Sequence, residues 1–376
     1  MIPSDHEPSE SPVEGSDPTP VEAPLVPTSE PNPNAGVPLL QLSTELFDKI
    51  FADYSTIPDA FYINTHSLHD LSKFFERTDA LTALSQTCRA MRDITLPRLW
   101  TRLDICRITD PVQISQWYET PIIMAALERK ASGIAVSIVR QHVQTLTLLL
   151  SSHEPDAPLT ALWNMLPKLP NLRKIQLLAS ACGTEVLKKT LGNAKLELPN
   201  VTTLFLEDGN AEFFQRICPN TTHIRCVAEF VEGSGGDLLL ALTPKTERLD
   251  GMIDWRDLSL VDRLVANAPN LRTLEIRRPV DAELRIFSQD KAPAEWAQMI
   301  PKLVSLKHLA ELVLTFPGEH EAADDAASIA AARMLMRTSR VAGPRRLVIR
   351  CVIAPHYVEN DYITDFLQSS TTETFE

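Results

Sequence analysis

Cys218, His223 and Cys226 are the residues whose types and spacing come nearest to metal chemistry, because zinc takes four nitrogen or sulfur ligands in tetrahedral array. His223 and Cys226 sit in the segment TTHIRC, which reads as a strand. Alternate residues of a strand face opposite sides, so His223 and Cys226 point apart, and no fourth ligand is near in sequence. The glycine-rich run GSGGD at 233–237 lacks the Lys and Ser/Thr of a phosphate-binding loop and does not match the dinucleotide fingerprint. Neither a G-x-S-x-G elbow nor an H-E-x-x-H helix occurs, and Asp and Glu are scattered at the frequency of a solvated surface. No catalytic residue, metal ligand or cofactor site is therefore assigned, and the chain reads as a non-enzyme.

The elements around these residues are more informative. The chain has 376 residues, enough for more than one domain, and its net charge of −13 is unevenly spread. Residues 1–38 hold ten of the 28 prolines and seven acids but no Lys or Arg, so removing them leaves −6 on the remainder. Such a stretch cannot bury enough apolar surface to offset its chain entropy, which predicts a disordered tail. The acidic balance argues against a nucleic-acid partner, and the basic run at 345–350 reads as a strand with its polar side outward. The start lacks the basic and apolar regions of a signal peptide, and no run of 18 apolar residues occurs. Cytoplasm or nucleus, with no membrane contact, is the expected location. Six cysteines at 88, 106, 182, 218, 226 and 351 show no paired spacing, as expected of reduced thiols.

An internal repeat organises the second half. Pro170-Asn171-Leu172 recurs as Pro199-Asn200-Val201, Pro219-Asn220-Thr221, Pro244-Lys245-Thr246 and Pro269-Asn270-Leu271, each leading into a short alternating strand. The middle apolar position of each strand falls at Leu146, Ile175, Leu204, Ile224, Leu249, Leu274, Leu312 and Leu347. The gaps are 29, 29, 20, 25, 25, 38 and 35 residues. Most lie within the period of a leucine-rich repeat, with insertions stretching the last two. Proline and asparagine stop the preceding segment, the L-x-x-L-x-L pattern puts apolar side chains on one face, and helical segments such as AEFFQRI at 211 cover that face. The expected fold class is α/β, a curved solenoid of parallel strands and outer helices over 143–355, preceded by a helical connector and cap at 105–142 and followed by a C-terminal segment, 356–376.

Upstream, PLLQLSTELFDKIFADY at 38–54 carries a broad helical stripe of Leu42, Leu46, Phe47, Ile50, Phe51 and Tyr54. In LTALSQTCRAMRDITLPRLWTRLD at 81–104, Leu81, Leu84, Cys88 and Met91 make a second stripe, which marks Cys88 as a small buried hydrophobe. Pro97 is then expected to turn the chain toward Leu99 and Trp100.

The succession L-x-x-E-L-x-x-x-I-F, L-x-x-L-S-x-T-C-R and L-W-x-R-L resembles the F-box, in the form found in fungal F-box-like proteins with irregular leucine-rich repeats. The resemblance implies a small helical module over 39–104 that docks the S-phase-kinase-associated adaptor and, through it, a cullin. It carries the adaptor-facing role to Leu42, Leu46, Ile50, Leu84, Cys88, Leu99 and Trp100. Two departures stand out: the family's Leu-Pro is Leu42-Ser43, and an insertion of roughly 55–78 carries its own amphipathic stripe of Leu68, Leu71, Phe74 and Phe75. F-box followed by repeats is the layout of substrate-receptor subunits of SCF-type ubiquitin ligases. The alternative is a repeat scaffold whose degenerate F-box recruits nothing.

With the marker leucines in the core, their neighbours should line the opposite, concave face and bind an unidentified target protein. The target-facing residues expected are Lys174, Phe205, Glu207, His223, Arg225, Arg248, Glu275 and Arg277. The row mixes both charges, which argues for a protein surface over a simple polyanion, and Phe205 is expected as an exposed aromatic between Arg225 and Arg248.

Overall fold

The computed structural model describes residues 42–54, 72–105, 121–151, 155–180, 184–192, 195–206, 210–226, 238–239, 241–251, 258–277, 294–316, 325–339, 341, 343–353 and 366–376. The tail 1–38, most of the insertion at 55–78, and Glu207 lie outside them. Two units divide the chain, residues 1–43 and residues 44–376. In the first, Leu42 is half-buried and Ser43 exposed.

The second unit opens with three helices, α1 (Thr44–Ala52), α2 (Ser72–Ser85) and α3 (Arg89–Trp100). Glu45 in the first turn of α1 and Lys49 in its last complement the helix dipole. Phe75 and Leu81 of α2 and Met91 and Thr95 of α3 are buried. The tail end of the insertion, 72–78, is therefore the first half of α2, continuous with the part of the helix that carries Leu81 and Leu84. Leu68 and Leu71 lie outside the described residues.

Two expectations fail in this segment. The stripe from Leu81 to Met91 is not one helix, because the chain breaks after Ser85. The Thr87 hydroxyl donates back to the Leu84 carbonyl at 2.8 Å, and Cys88 becomes the N-cap of α3 in extended conformation, its Sγ accepting from the Met91 N–H at 3.5 Å. A polar cap satisfies a helix terminus that a continuous apolar stripe would not have needed. Pro97 does not turn the chain, since α3 runs through it to Trp100. So close to the end of the helix, its missing N–H costs a single bond. The Arg98 guanidinium donates to the Ile94 carbonyl at 2.8 Å, and the Thr101 hydroxyl donates to the Pro97 carbonyl at 2.9 Å.

The rest is a mixed α/β structure built on one ten-stranded sheet whose strands follow chain order. These are β1 (Arg102–Ile105), β2 (Thr145–Leu150), β3 (Lys174–Ser180), β4 (Thr203–Leu206), β5 (His223–Cys226), β6 (Arg248–Gly251), β7 (Thr273–Arg277), β8 (Glu311–Phe316), β9 (Arg345–Ile353) and β10 (Phe366–Phe375). The first nine pair in parallel, and β10 returns antiparallel on β9. Helices α4 (Pro121–Val136), α5 (Asp156–Met165), α6 (Thr184–Leu191), α7 (Ala211–Ile217), α8 (Ser259–Asn267), α9 (Ala294–Met299) and α10 (Ala326–Thr338) make the crossovers or parts of them. Among the described residues, no helix is long and apolar enough to cross a membrane.

All eight marker residues stand in one continuous column of directly paired positions, from Leu146 opposite Ile175 to Leu312 opposite Leu347. Each is at most 1% exposed. Leu103 of β1 extends the column by one strand, so the sheet begins earlier than the repeat pattern suggests. With Leu127, Leu162, Phe214, Leu264 and Leu335 from the helices, these side chains form one core against a single face of the sheet.

The Pro-Asn signature has a second role besides stopping the chain. Each copy forms a tight turn, such as Leu198 to Val201 with a bond from the Val201 N–H to the Leu198 carbonyl at 3.1 Å. Proline takes the second place, where its fixed φ is favourable. The Asn side chain then donates to the proline carbonyl of the preceding repeat: Asn200 to Pro170 at 2.9 Å, Asn220 to Pro199 at 2.9 Å and Asn270 to Pro244 at 2.8 Å. Where the motif has Lys245 instead, its ammonium reaches the Pro219 carbonyl at 3.2 Å.

Candidate functional site

Two surfaces bear on function. The first is α1, where i,i+4 spacing sets two apolar pairs on different faces of one helix. Phe47 and Phe51 are buried and stacked, ring centroids 6.3 Å apart, while Leu46 and Ile50 are each 46% exposed. The broad stripe read in the sequence is thus two stripes, one packed inward and one facing solvent. Arg98 of α3 clamps the helix from the inner side, its Nε donating to Asp48 at 2.7 Å and its guanidinium carbon 5.9 Å from the Phe47 ring. Among the other residues given an adaptor role, Leu84, Cys88 and Leu99 are half-buried. Trp100, also half-buried, packs against the core under the sheet, where it joins the helical segment to β1. The family pattern could not reveal this, because it covers the helical module alone and not the sheet beyond it.

The second surface is the sheet face turned away from the core. Strand pairing brings Lys174, Phe205, His223, Arg225, Arg248, Glu275 and Arg277 to this one face, on strands β3 to β7. The expected side assignment of Phe205 follows from the burial of its neighbours Leu204 and Leu206 in the core. Its expected exposure does not hold. Phe205 is 1% exposed, with the Lys174 ammonium 4.1 Å above the ring, Arg225 at 5.6 Å and His223 edge-on at 5.2 Å. Strands lie so close together that long cationic side chains on either side fold over an aromatic between them.

The acids on this face are also buried. Asp250, with a side chain 0% exposed, accepts from His223 Nε2 at 2.8 Å and from Arg248 Nε at 2.9 and 3.0 Å. Arg225 Nε stands 3.8 Å away. Burial alone would raise this carboxyl, yet the hydrogen bonds from His223 and Arg248 and the Arg225 charge outweigh it and hold the pKa at about 2. Glu275, 1% exposed, is met from both sides: Arg225 of β5 and Arg350 of β9 each donate to Oε2 at 3.3 Å. Thr315 donates to Oε1 at 3.0 Å, and Arg277 stands 3.7 Å from it. Asp250 falls on the face where the strand alternation places it, whereas Thr315 and Arg350 are members of the cluster that the sequence does not point to. Arg350 sits 75 positions from Glu275, and only the register of the sheet unites them.

His223 Nε2 faces the Asp250 carboxylate at 2.8 Å. No group of three or more described His, Cys, Asp or Glu residues is placed to hold a metal ion. Cys218 is fully buried, and that burial pushes its thiol up to about 12, so it is an inert hydrophobe at neutral pH. No protein-family model matches the sequence, and no curated protein is detectably similar to it.

Proposed function

We propose that this chain is the substrate-receptor subunit of a cullin-RING ubiquitin ligase, with α1 to α3 acting as an F-box-like module and the sheet and its helices forming a leucine-rich-repeat solenoid that binds the target. The observation that carries the reading is the exposed Leu46 and Ile50 pair on a helix whose own packing is already met by Phe47 and Phe51. Large apolar side chains set in solvent beside a completed core are the usual anchors of a protein interface. The solenoid half is supported by the strictly sequential parallel strands, the unbroken leucine column and the Asn bonds that link one repeat to the next.

The test is co-purification of the adaptor and cullin with the intact chain. Truncating Leu46 and Ile50 together to Ala should weaken adaptor binding by about 2 kcal/mol or more while the fold survives. Unchanged affinity in a folded double variant rejects the assignment to α1. Absence of adaptor binding by the native chain favours an interaction scaffold with a degenerate F-box.

A further inference from the structure

On the sheet face opposite the core, four guanidinium groups, those of Arg225, Arg248, Arg277 and Arg350, surround two carboxylates, Asp250 and Glu275, an excess of two positive charges. The carboxylates are buried and the cations are not equally so. Arg248 is 44% exposed and Arg350 34%, against 0% for Asp250 and 1% for Glu275. A row that mixes both charges in sequence therefore presents mainly positive charge to solvent. The rest of the chain is acidic, with a net charge of −13 overall.

Resting on the reading of this face as the target-binding surface, we propose that it recognises an extended, carboxylate-rich segment of a protein, with Arg248 and Arg350 as the contact groups. Arg248 bonds Asp250 through Nε, which leaves both terminal nitrogens outside that bond on a side chain 44% exposed. Arg350 uses Nη1 on Glu275, so its second terminal nitrogen is outside that bond as well. A planar guanidinium fork matches a carboxylate in a way that an ammonium does not. The buried acids fix the two forks in place, so binding does not have to order them first. Strands β6 and β9 are three spacings apart, about 14 Å, a distance that four or five extended residues cover at about 3.3 Å each. That favours a short peptide stretch. The net negative charge of the chain disfavours a nucleic acid.

The experiment is a titration of the purified full chain with a labelled extended peptide carrying Glu at alternate positions, beside its Gln counterpart and a single-stranded oligonucleotide of equal charge. Expected are saturable binding of the Glu peptide, at least about tenfold weaker binding of the Gln peptide, and a loss of about tenfold or more in an Arg248→Gln, Arg350→Gln chain of unchanged thermal midpoint. Should that double variant unfold, a photoreactive side chain at position 273, on the same face between Arg248 and Glu311, is expected to capture the Glu peptide in the otherwise native chain. Equal binding of the Gln peptide, an oligonucleotide that binds as tightly as the Glu peptide, or no capture from position 273 overturns the proposal. The titration needs no adaptor, so its failure leaves adaptor docking through α1 standing, and failure of docking leaves this result standing.

Discussion

Helix α1 and the polar face of the sheet solve opposite problems. On α1 two large apolar residues, Leu46 and Ile50, stand half in solvent among the charged Glu45, Asp48 and Lys49, while Phe47 and Phe51 are the pair packed inside. On the sheet, Asp250, Glu275 and Phe205 are buried, and each of them has a cation from another strand against it. The comparison teaches that residue type alone misassigns both surfaces. A leucine can face solvent and a glutamate can be the keystone, depending on what stands next to it in space.

The sharpest way to break this contrast is Glu275→Ala. Removing the acid leaves Arg225 and Arg350 facing each other across the sheet without their shared acceptor, and a loss of about 3–5 kcal/mol in unfolding free energy is expected, read from urea denaturation. A loss below about 1 kcal/mol would mean that the arginines find solvent easily and that the buried acid is not structural. On α1 the same logic predicts asymmetry between adjacent residues. Phe47→Ala should cost about 3 kcal/mol, whereas Leu46→Ala should shift stability by less than about 1 kcal/mol, with thermal melts of the two single variants as the check. Equal costs would merge the two stripes back into one.

A smaller effect comes from pH. Asp250 has its folded pKa lowered from 3.8 to about 2, so the unfolded chain takes up its proton first as acid is added. The stabilisation is complete above about pH 4 and is lost as pH falls from there through about 2, an amount of about 2 kcal/mol. Urea midpoints tracked over that window should show this slope in the native chain and a shallower one in Asp250→Asn. No counterpart is expected from α1, whose exposed pair carries no charge. Smallest is Asn200→Ala, which deletes one bond between repeats at the solvent-exposed turn and should cost about 1 kcal/mol.

How much of this was legible in the sequence depends on the range of the interaction. The leucine column could be read because alternation has a period of two and the repeat carries its own punctuation at Pro-Asn. β1 was hidden because the residues Arg102–Ile105 directly succeed a helix and had already been absorbed into the family motif. β10 was hidden for a different reason: FLQSSTTETF has no apolar alternation over its middle, and its conformation is decided by β9, to which it is bonded along its length. The break at Cys88 was obscured because the residues on either side of a turn kept helical spacing by coincidence. At the polar face, the strand register predicted which residues share the surface. It could not predict burial, since Glu275 is covered by Arg225 and Arg350, 50 and 75 positions away, and Asp250 by His223, 27 positions away, as well as by Arg248 of its own strand.

The asparagine turns bear on how such a chain can change over generations. In all five copies of the motif, five positions separate the proline from the marker residue of its strand, while the distance from the preceding marker ranges from 20 to 29 residues. All variation in length therefore falls between a strand and the next turn. Because the Asn side chain bonds the carbonyl of the preceding turn, the turns act as a ruler that sets each strand against the last regardless of how much chain intervenes. An insertion or deletion in those intervals is then a local event: it need not shift the pairing of any neighbour, and closing a longer loop costs only the slowly growing entropy of its length. Drift in segment length is cheap, and the interval between proline and marker is the part that cannot be touched.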